Sequence, residues 1–254
     1  MAKIIYGILE EWGIEGKIFS LTLDNASSND KTQDFLKEIL LLQTDGLFCG
    51  GEYFHIQCVA HILYLIVQEG LKVVGHAIHK IRENIKYVKG SEKRIRVFRA
   101  CIAKVGGITT NMCLCLDVVT RRNSTFLMVK SALLYHCTFS SLEFKDRSYV
   151  NCPTHEEPDR GEKMYEFLRP FYQITELISS SSYPTSNMHF IQVWKIECLL
   201  IQNVNNEVET IRNMTIEMKK KFDKYWGEYS AMLCFGCILD PQFKFNFEIL
   251  ICKA

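Results

Sequence analysis

Residues Ser20–Asp30 read SLTLDNASSND, and the fold turns on how this stretch is parsed. From Lys17 to Leu23 apolar and polar residues alternate, with Ile18, Leu21 and Leu23 in the pattern of a short half-buried strand. Asp24 stands at the end of that run. Asn25 to Asn29 then supplies turn and cap residues, and Ser27 with Asp30 matches a capping box, in which two side chains satisfy the free N–H groups of a helix start. From Asp30 to Leu42, Phe35, Leu36, Ile39 and Leu40 recur at helical spacing. An acid at the C-terminal tip of a strand, beside a helix start, is either a metal-ligating carboxylate or a turn residue. The residues alone leave both open.

Working outward, Gly46, Gly50 and Gly51 break the chain, and Tyr53 to Cys58 reads as a second strand. Val59 to Val73 carries Ile62, Leu63, Ile66, Val67 and Leu71, the marks of a mostly buried helix. The order so far is strand, helix, strand, helix. Beyond it strand signals fade. Helical patterns cover Ser124–Phe139, Glu162–Ser179, Met188–Asn203 and Glu207–Trp226, the last with Val208, Ile211, Met214, Met218, Phe222 and Tyr225 on one face. Lys145–Arg160, with Pro153 and Pro158, reads as a loop, and Ser179–Asn187 as a connector. The expected fold class is mixed α/β and mostly α: residues 1–72 with a few strands, then a helical region over 73–254.

The chain has 254 residues, 48% of them hydrophobic, and a net charge of +1, so any nucleic-acid surface must be local. No secretory leader is recognised at Met-Ala-Lys, and no apolar run approaches the roughly 18 residues of a membrane span. Secretion and membrane insertion are not expected. The 11 cysteines are odd in number and scattered. Cys113, Cys115, Cys137, Cys198 and Cys252 lie inside apolar patterns and read as reduced, mostly buried thiols. Cys234 and Cys237 have CxxC spacing without a second pair, and a structural zinc site needs four ligands.

Three constellations bear on function. Cys58 and His61 fall three residues apart at a helix start: a nucleophile–base pair, or a buried thiol and a capping histidine. Lys72–Lys104 holds ten Lys or Arg against two acids, Glu83 and Glu92. Within it Arg82, Lys86, Lys89 and Lys93 recur at four, three and four, opposite the Ile81, Ile85 and Val88 stripe, as one basic ridge. Such a ridge is either a solvated face or a phosphate-tracking surface. Arg121 and Arg122 precede an Asn-Ser-Thr cap, where guanidinium groups and free backbone N–H groups can share a phosphate.

The blocks KIFSLTLDNASSND, HIQCVAHILYLIVQEGL, IRENIKYVKGS, LDVVTRRNSTFLM, FLRPFYQITELISSSSYPTSN, QVWKIECLL and MKKKFDKYWGEYSAMLCFGCILDPQFK together resemble, in order, plant hAT-superfamily transposases. Among them the chain is most similar to the BED-finger, RICESLEEPER-like domesticated proteins. The resemblance implies a partial RNase H-like core followed by a large helical insertion, DNA as partner and the nucleus as location. In the intact family three acids hold divalent metal, Mg²⁺, for DNA cleavage and strand transfer, and Asp24 matches the second of them. Cys58 and His61 match the family's Cys-x-x-His pair at the insertion's entrance. Arg121, Asn123 and Ser124 match its Arg-Trp-Asn-Ser block.

Departures from the family shape the expected function. Its first acid maps upstream of Met1, and its third acid, within the dimerisation block, maps beyond Ala254; the BED finger is not in these residues either. At position 122 the family's Trp, a stacking platform for an extruded base, is Arg122, a poorer platform. One carboxylate does not hold two metals. The expectation is therefore a transposase-derived DNA-binding chain, catalytically inactive, with Asp24 vestigial, no metal of its own, and homo-oligomerisation left to intact relatives. The alternatives are an active subunit completed by another chain, and a structural or protein-interaction helical domain whose basic ridge is merely solvated.

Overall fold

A computed structural model describes residues 1–24, 26–43, 47–108, 112–118, 121–179 and 186–241. Helix dominates, at 74% of the chain, with one small parallel sheet, as the mixed and mostly α expectation requires. The chain groups into two compact units. One takes its described residues from Met1–Leu63, Ser181–Ile191 and Lys224–Ala254, the other from Tyr64–Ser180 and Gln192–Asp223. The single boundary expected at 72/73 therefore falls nine residues early, and the C-terminal stretch assigned to the helical region groups instead with the N-terminal unit.

In the first unit, α1 (Ala2–Glu11) packs on α2 (Ser27–Gln43). Ala2, Leu36, Leu40, Leu47 and Phe54 form the core, with Ile5, Tyr6, Ile18 and Leu21 packed against it. β1 (Leu21–Leu23) and β2 (His55–Gln57) pair in parallel, Leu21 beside His55 and Leu23 beside Gln57, with α2 as the crossover. Both strands are shorter than the alternation predicted. A 3₁₀ turn at Glu15–Lys17 uses up the start of the first, and the Phe54 N–H bonds back to Gly51 before the second. The Leu21 N–H donates to Phe54 and the Cys58 N–H to Leu23, so both residues of β1 that flank Thr22 face β2. Alternate strand residues point their polar groups to opposite edges. Thr22 therefore faces an edge on which no further strand lies among the described residues.

The second unit is helical: most of α3 (Val59–Val73), then α4 (Gly75–Lys89), α5 (Glu92–Val105), α6 (Ser124–Leu134), α7 (His136–Lys145) and α8 (Glu157–Ser179), with parts of α9 (Ser186–Asn203) and α10 (Glu209–Leu239). α5 packs on α7, α6 on α8, and α4 on both α5 and α6. Phe98 of α5 meets Tyr135 and Phe139 with ring centroids at 5.6 and 5.2 Å, and Phe126 of α6 stacks on Tyr172 of α8 at 4.5 Å. α3 and α10 approach closely at Gly70, where a Cβ would lie 2.5 Å from the Met218 sulfur.

Several helix boundaries differ from the expected ones, and α10 runs past the expected end at Trp226 to Leu239. Gly90 ends α4, and the Ser91 hydroxyl accepts the Arg94 N–H at 3.3 Å to start α5. The helix expected over 124–139 is two, because the buried Tyr135 leaves helical geometry (φ −103°, ψ 14°) and donates its hydroxyl to the Met112 carbonyl at 2.5 Å. α8 begins five residues early: Glu157 reaches back to the Thr154 N–H at 2.7 Å, and Pro158 sits in the first turn, where its missing N–H costs nothing.

Candidate nucleic-acid interface

Asp24 lies where the sequence places it, at the C-terminal end of β1 and ahead of α2. Its exposed carboxylate accepts the Ala26 N–H at 3.2 Å and the Asn29 amide at 2.5 Å, both at the start of the helix. That is a capping role. The capping box itself falls on Ser27, whose side chain lies outside the described residues. Cys58 follows β2 at the same, C-terminal end of the sheet, tied to Leu23 through its N–H at 2.9 Å, and its carbonyl accepts the His61 N–H at 2.9 Å. The parallel strands thus bring Asp24 and the start of α3 to one end of the sheet. No group of three His, Cys, Asp or Glu side chains suited to a metal occurs among the described residues. A hard cation prefers about six oxygen ligands. One lone carboxylate, with Oδ1 already accepting from Ala26 and Asn29, does not fit Mg²⁺.

The residues of the basic ridge do not lie on one helix. The break at Gly90 puts Lys93 on α5, while Arg82, Lys86 and Lys89 stay on α4. Arg82 makes a forked pair with Asp117, Nε to Oδ1 at 2.8 Å and Nη2 to Oδ2 at 2.6 Å, and Thr125 adds a hydroxyl to the same carboxylate at 3.3 Å. The Arg82 hydrogen bonds hold the Asp117 carboxyl below its ordinary range despite burial, which pushes the other way. Lys86 is paired with Glu83 at 2.9 Å, and Lys80 bridges Glu157 at 2.7 Å. Periodicity cannot foresee these neutralising partners, since Asp117 lies 35 residues from Arg82.

The exposed basic face that remains is mainly on α5. Ile95, Phe98 and Cys101 turn inward, while Lys93, Arg96, Arg99 and Lys104 are exposed. Lys89, Lys93, Arg99 and Lys104 make no ion pair among the described residues, and Arg96 only a distant one to Glu92 at 3.9 Å. Arg94 lies over the Tyr87 ring at 4.0 Å and joins the end of α4 to α5. Arg96 and Arg99 were missed by the sequence reading, although Lys93, Arg96 and Arg99 follow one another at steps of three.

Arg121 and Arg122 are both exposed on the turn before α6. The turn is wound about Ser124, whose hydroxyl accepts the Val118 N–H at 3.1 Å and lies 2.8 and 2.9 Å from the Val118 and Arg121 carbonyls. Asn123 adopts a left-handed conformation (φ 64°), and its amide donates to Glu176 of α8 at 2.9 Å. The segment ahead is pinned to α6 by the Cys115 N–H on Ser131 at 3.0 Å.

The nine cysteines whose side chains are described are free thiols. Cys115 and Cys198 are half-buried, but Cys113 and Cys137 are exposed, contrary to the expectation for apolar-patterned cysteines. At the start of α7 it is Thr138 and Phe139 that turn inward. Cys237 is buried; the side chain of Cys234, and all of Cys252, lie outside the described residues. No described helix is long and apolar enough to cross a membrane.

Three family models match in order along the chain: the ZBED1 RNase-like domain over residues 1–53, the ZBED1 RNase-like helical domain over 56–167, and the hAT-like transposase, RNase-H fold, over 187–251. Among similar proteins, zinc finger BED domain-containing proteins RICESLEEPER 2 and RICESLEEPER 1 of Oryza sativa subsp. japonica are 34% and 33% identical over 245 residues. Each match covers 96% of this chain and 34% of the relative. DAYSLEEPER of Arabidopsis thaliana is 28% identical over 247 residues, 96% of this chain and 35% of its own. The chain spans about a third of the length of these relatives. With matches ordered along nearly its whole length and a mostly helical mixed fold, the chain belongs to the hAT family of transposases and transposase-derived proteins.

Proposed function

We propose that this chain is a transposase-derived, nuclear DNA-binding protein that does not itself cut or join DNA. The exposed face of α5 carries the reading: Lys93, Arg96, Arg99 and Lys104 offer cations that no nearby acid closely neutralises. Lys89 at the end of α4 extends that face, and Arg121 and Arg122 add a second basic point on the α6 turn. Phosphate contacts of this kind tolerate any sequence and weaken steeply with salt, because each one releases bound counterions. Arg82 and Lys86, engaged by Asp117 and Glu83, contribute less than their place in the sequence suggests. Inactivity in cleavage is supported by the setting of Asp24, around which no group of three His, Cys, Asp or Glu side chains suited to a metal gathers among the described residues.

The test is a duplex-DNA titration across salt concentrations with the whole chain. Replacing Lys93, Arg96 and Arg99 by Ala should lower the slope of log affinity against log salt by up to about three, near one per lost phosphate contact. An unchanged slope would mean a solvated face, and the protein-interaction reading would then take its place. Metal-dependent cleavage by the purified chain would refute the inactive assignment.

A further inference from the structure

Cut into the helical unit is a cavity that DNA binding does not use. It holds about 430 Å³, within the usual range for small-molecule sites. Ile81 of α4, Leu133 of α6, Phe139 of α7 and Met164 of α8 give it apolar walls. Asn84 of α4 lines it too, and is only 3% exposed. Burial keeps the Tyr149 hydroxyl protonated, and it donates to Asn84 Oδ1 at 2.9 Å. The Asn84 amide nitrogen offers two N–H donors and makes no hydrogen bond among the described residues. Polar groups this well buried are almost always matched, so an unmet donor on a cavity wall marks a place for an acceptor. Water can serve it in the free protein, and a ligand oxygen that takes the water's place keeps the bond.

The charges around the cavity say what that acceptor is attached to. Lys80 reaches both oxygens of Glu157, at 2.9 and 2.7 Å, and Arg160 pairs with Glu156 at 2.8 Å. Both cations of the lining are thus engaged by acids. Glu209, in the first turn of α10, makes no ion pair among the described residues, so its charge stays uncompensated. An anion would have to break an existing pair or face that charge. A cationic head brings Asn84 no lone pair. A carbonyl oxygen supplies the lone pair without a charge. We propose that the cavity is a binding site for a neutral, mostly apolar small molecule bearing a carbonyl. Its oxygen accepts from Asn84 Nδ2 while its apolar body lies against Ile81, Phe139 and Met164.

The probe is prodan, a neutral naphthalene with a propionyl and a dimethylamino group, titrated into the whole chain and read by its emission. Two relatives share its ring: 2-dimethylaminonaphthalene lacks the carbonyl, and 6-dimethylamino-2-naphthoate carries a carboxylate in its place. Prodan should bind saturably, about three- to tenfold more tightly than the carbonyl-free ring, the worth of one hydrogen bond. It should also bind more tightly than the naphthoate. Ala77 is exposed on the cavity's rim, where a larger side chain leaves the core alone, and Ala77→Trp should weaken prodan by at least about tenfold. Asn84→Leu combined with Tyr149→Phe replaces both partners of the buried bond by apolar groups of like shape, which spares the fold and removes the donor. Prodan's advantage over the carbonyl-free ring should then disappear. No saturable prodan binding, equal wild-type affinities for prodan and the carbonyl-free ring, tighter binding of the naphthoate, or unchanged affinity in Ala77→Trp would each overturn the proposal. An advantage that survives in the folded double variant would overturn the role given to Asn84; should that variant not fold, the three-probe comparison on the wild type decides.

Discussion

Replacing Arg82 with Ala separates a structural cation from a DNA-binding one. The Asp117 side chain is 7% exposed and that of Arg82 30%, and the two are joined by a two-point fork. Removing one partner of a buried pair costs about 3–5 kcal/mol, because the survivor is a charge without compensation. Water reaches part of this pair, and Thr125 still donates to Asp117, so about 2–3 kcal/mol is the better figure here. At about 2–4 °C per kcal/mol for a chain of this size, R82A should lower the melting temperature by roughly 5–10 °C. The effect has a defined pH dependence. Arg82 holds the Asp117 carboxyl below its unfolded value, so the stabilisation is complete above that value and disappears as pH falls through the lowered one. The difference between wild type and R82A should therefore be full at pH 6–7, taken as roughly two units above an unperturbed Asp, and shrink in acid. Differential scanning fluorimetry across pH, beside the DNA salt titration, reads both properties. If R82A melts like the wild type while flattening the salt slope, Arg82 is a phosphate ligand and the clamp reasoning is wrong.

Gly70→Ala should destabilise by about 1–3 kcal/mol through overpacking against Met218, and Met218→Ala should relieve part of that cost in the double variant; chemical denaturation checks both. Tyr149→Phe removes the hydroxyl that donates to the buried Asn84 at 2.9 Å and should cost about 1–3 kcal/mol in the same assay. Asp24→Asn should change the melting temperature by less than about 2 °C, since Asn caps about as well as Asp, and should leave DNA affinity unchanged.

Local order in the fold was legible where one signal dominated. Val59–Val73 reads as a helix from its apolar residues and is one, with the predicted bounds. Both strands appear, though trimmed to three residues each by flanking turns that no alternation encodes. α1 was not read, although Ile4, Ile5, Ile8 and Leu9 recur at helical spacing; part of that stripe, Ile4 and Ile8, is exposed, while Ala2 and Ile5 pack inward. The division of the basic ridge between two helices was hidden for a different reason. A spacing of four, three and four is computed as if the helix were continuous, yet Gly90 and Ser91 divide it. The neutralisation of Arg82 depends on Asp117, brought near only by tertiary packing. The Asp24 position was legible, and its capping bonds needed coordinates.

The order in which the two units draw on the chain bears on how the protein is made. Everything the helical unit uses ends at Asp223, whereas the sheet-containing unit takes a further segment from Lys224 onward. A ribosome adding about 5–20 residues per second releases Leu63 roughly ten to thirty seconds before Lys224. Over that interval the α1–α2 layer waits without the later segments of its unit. A nascent chain in that condition is a substrate for chaperones that hold apolar segments, and crowded polysomes are where its aggregation would begin.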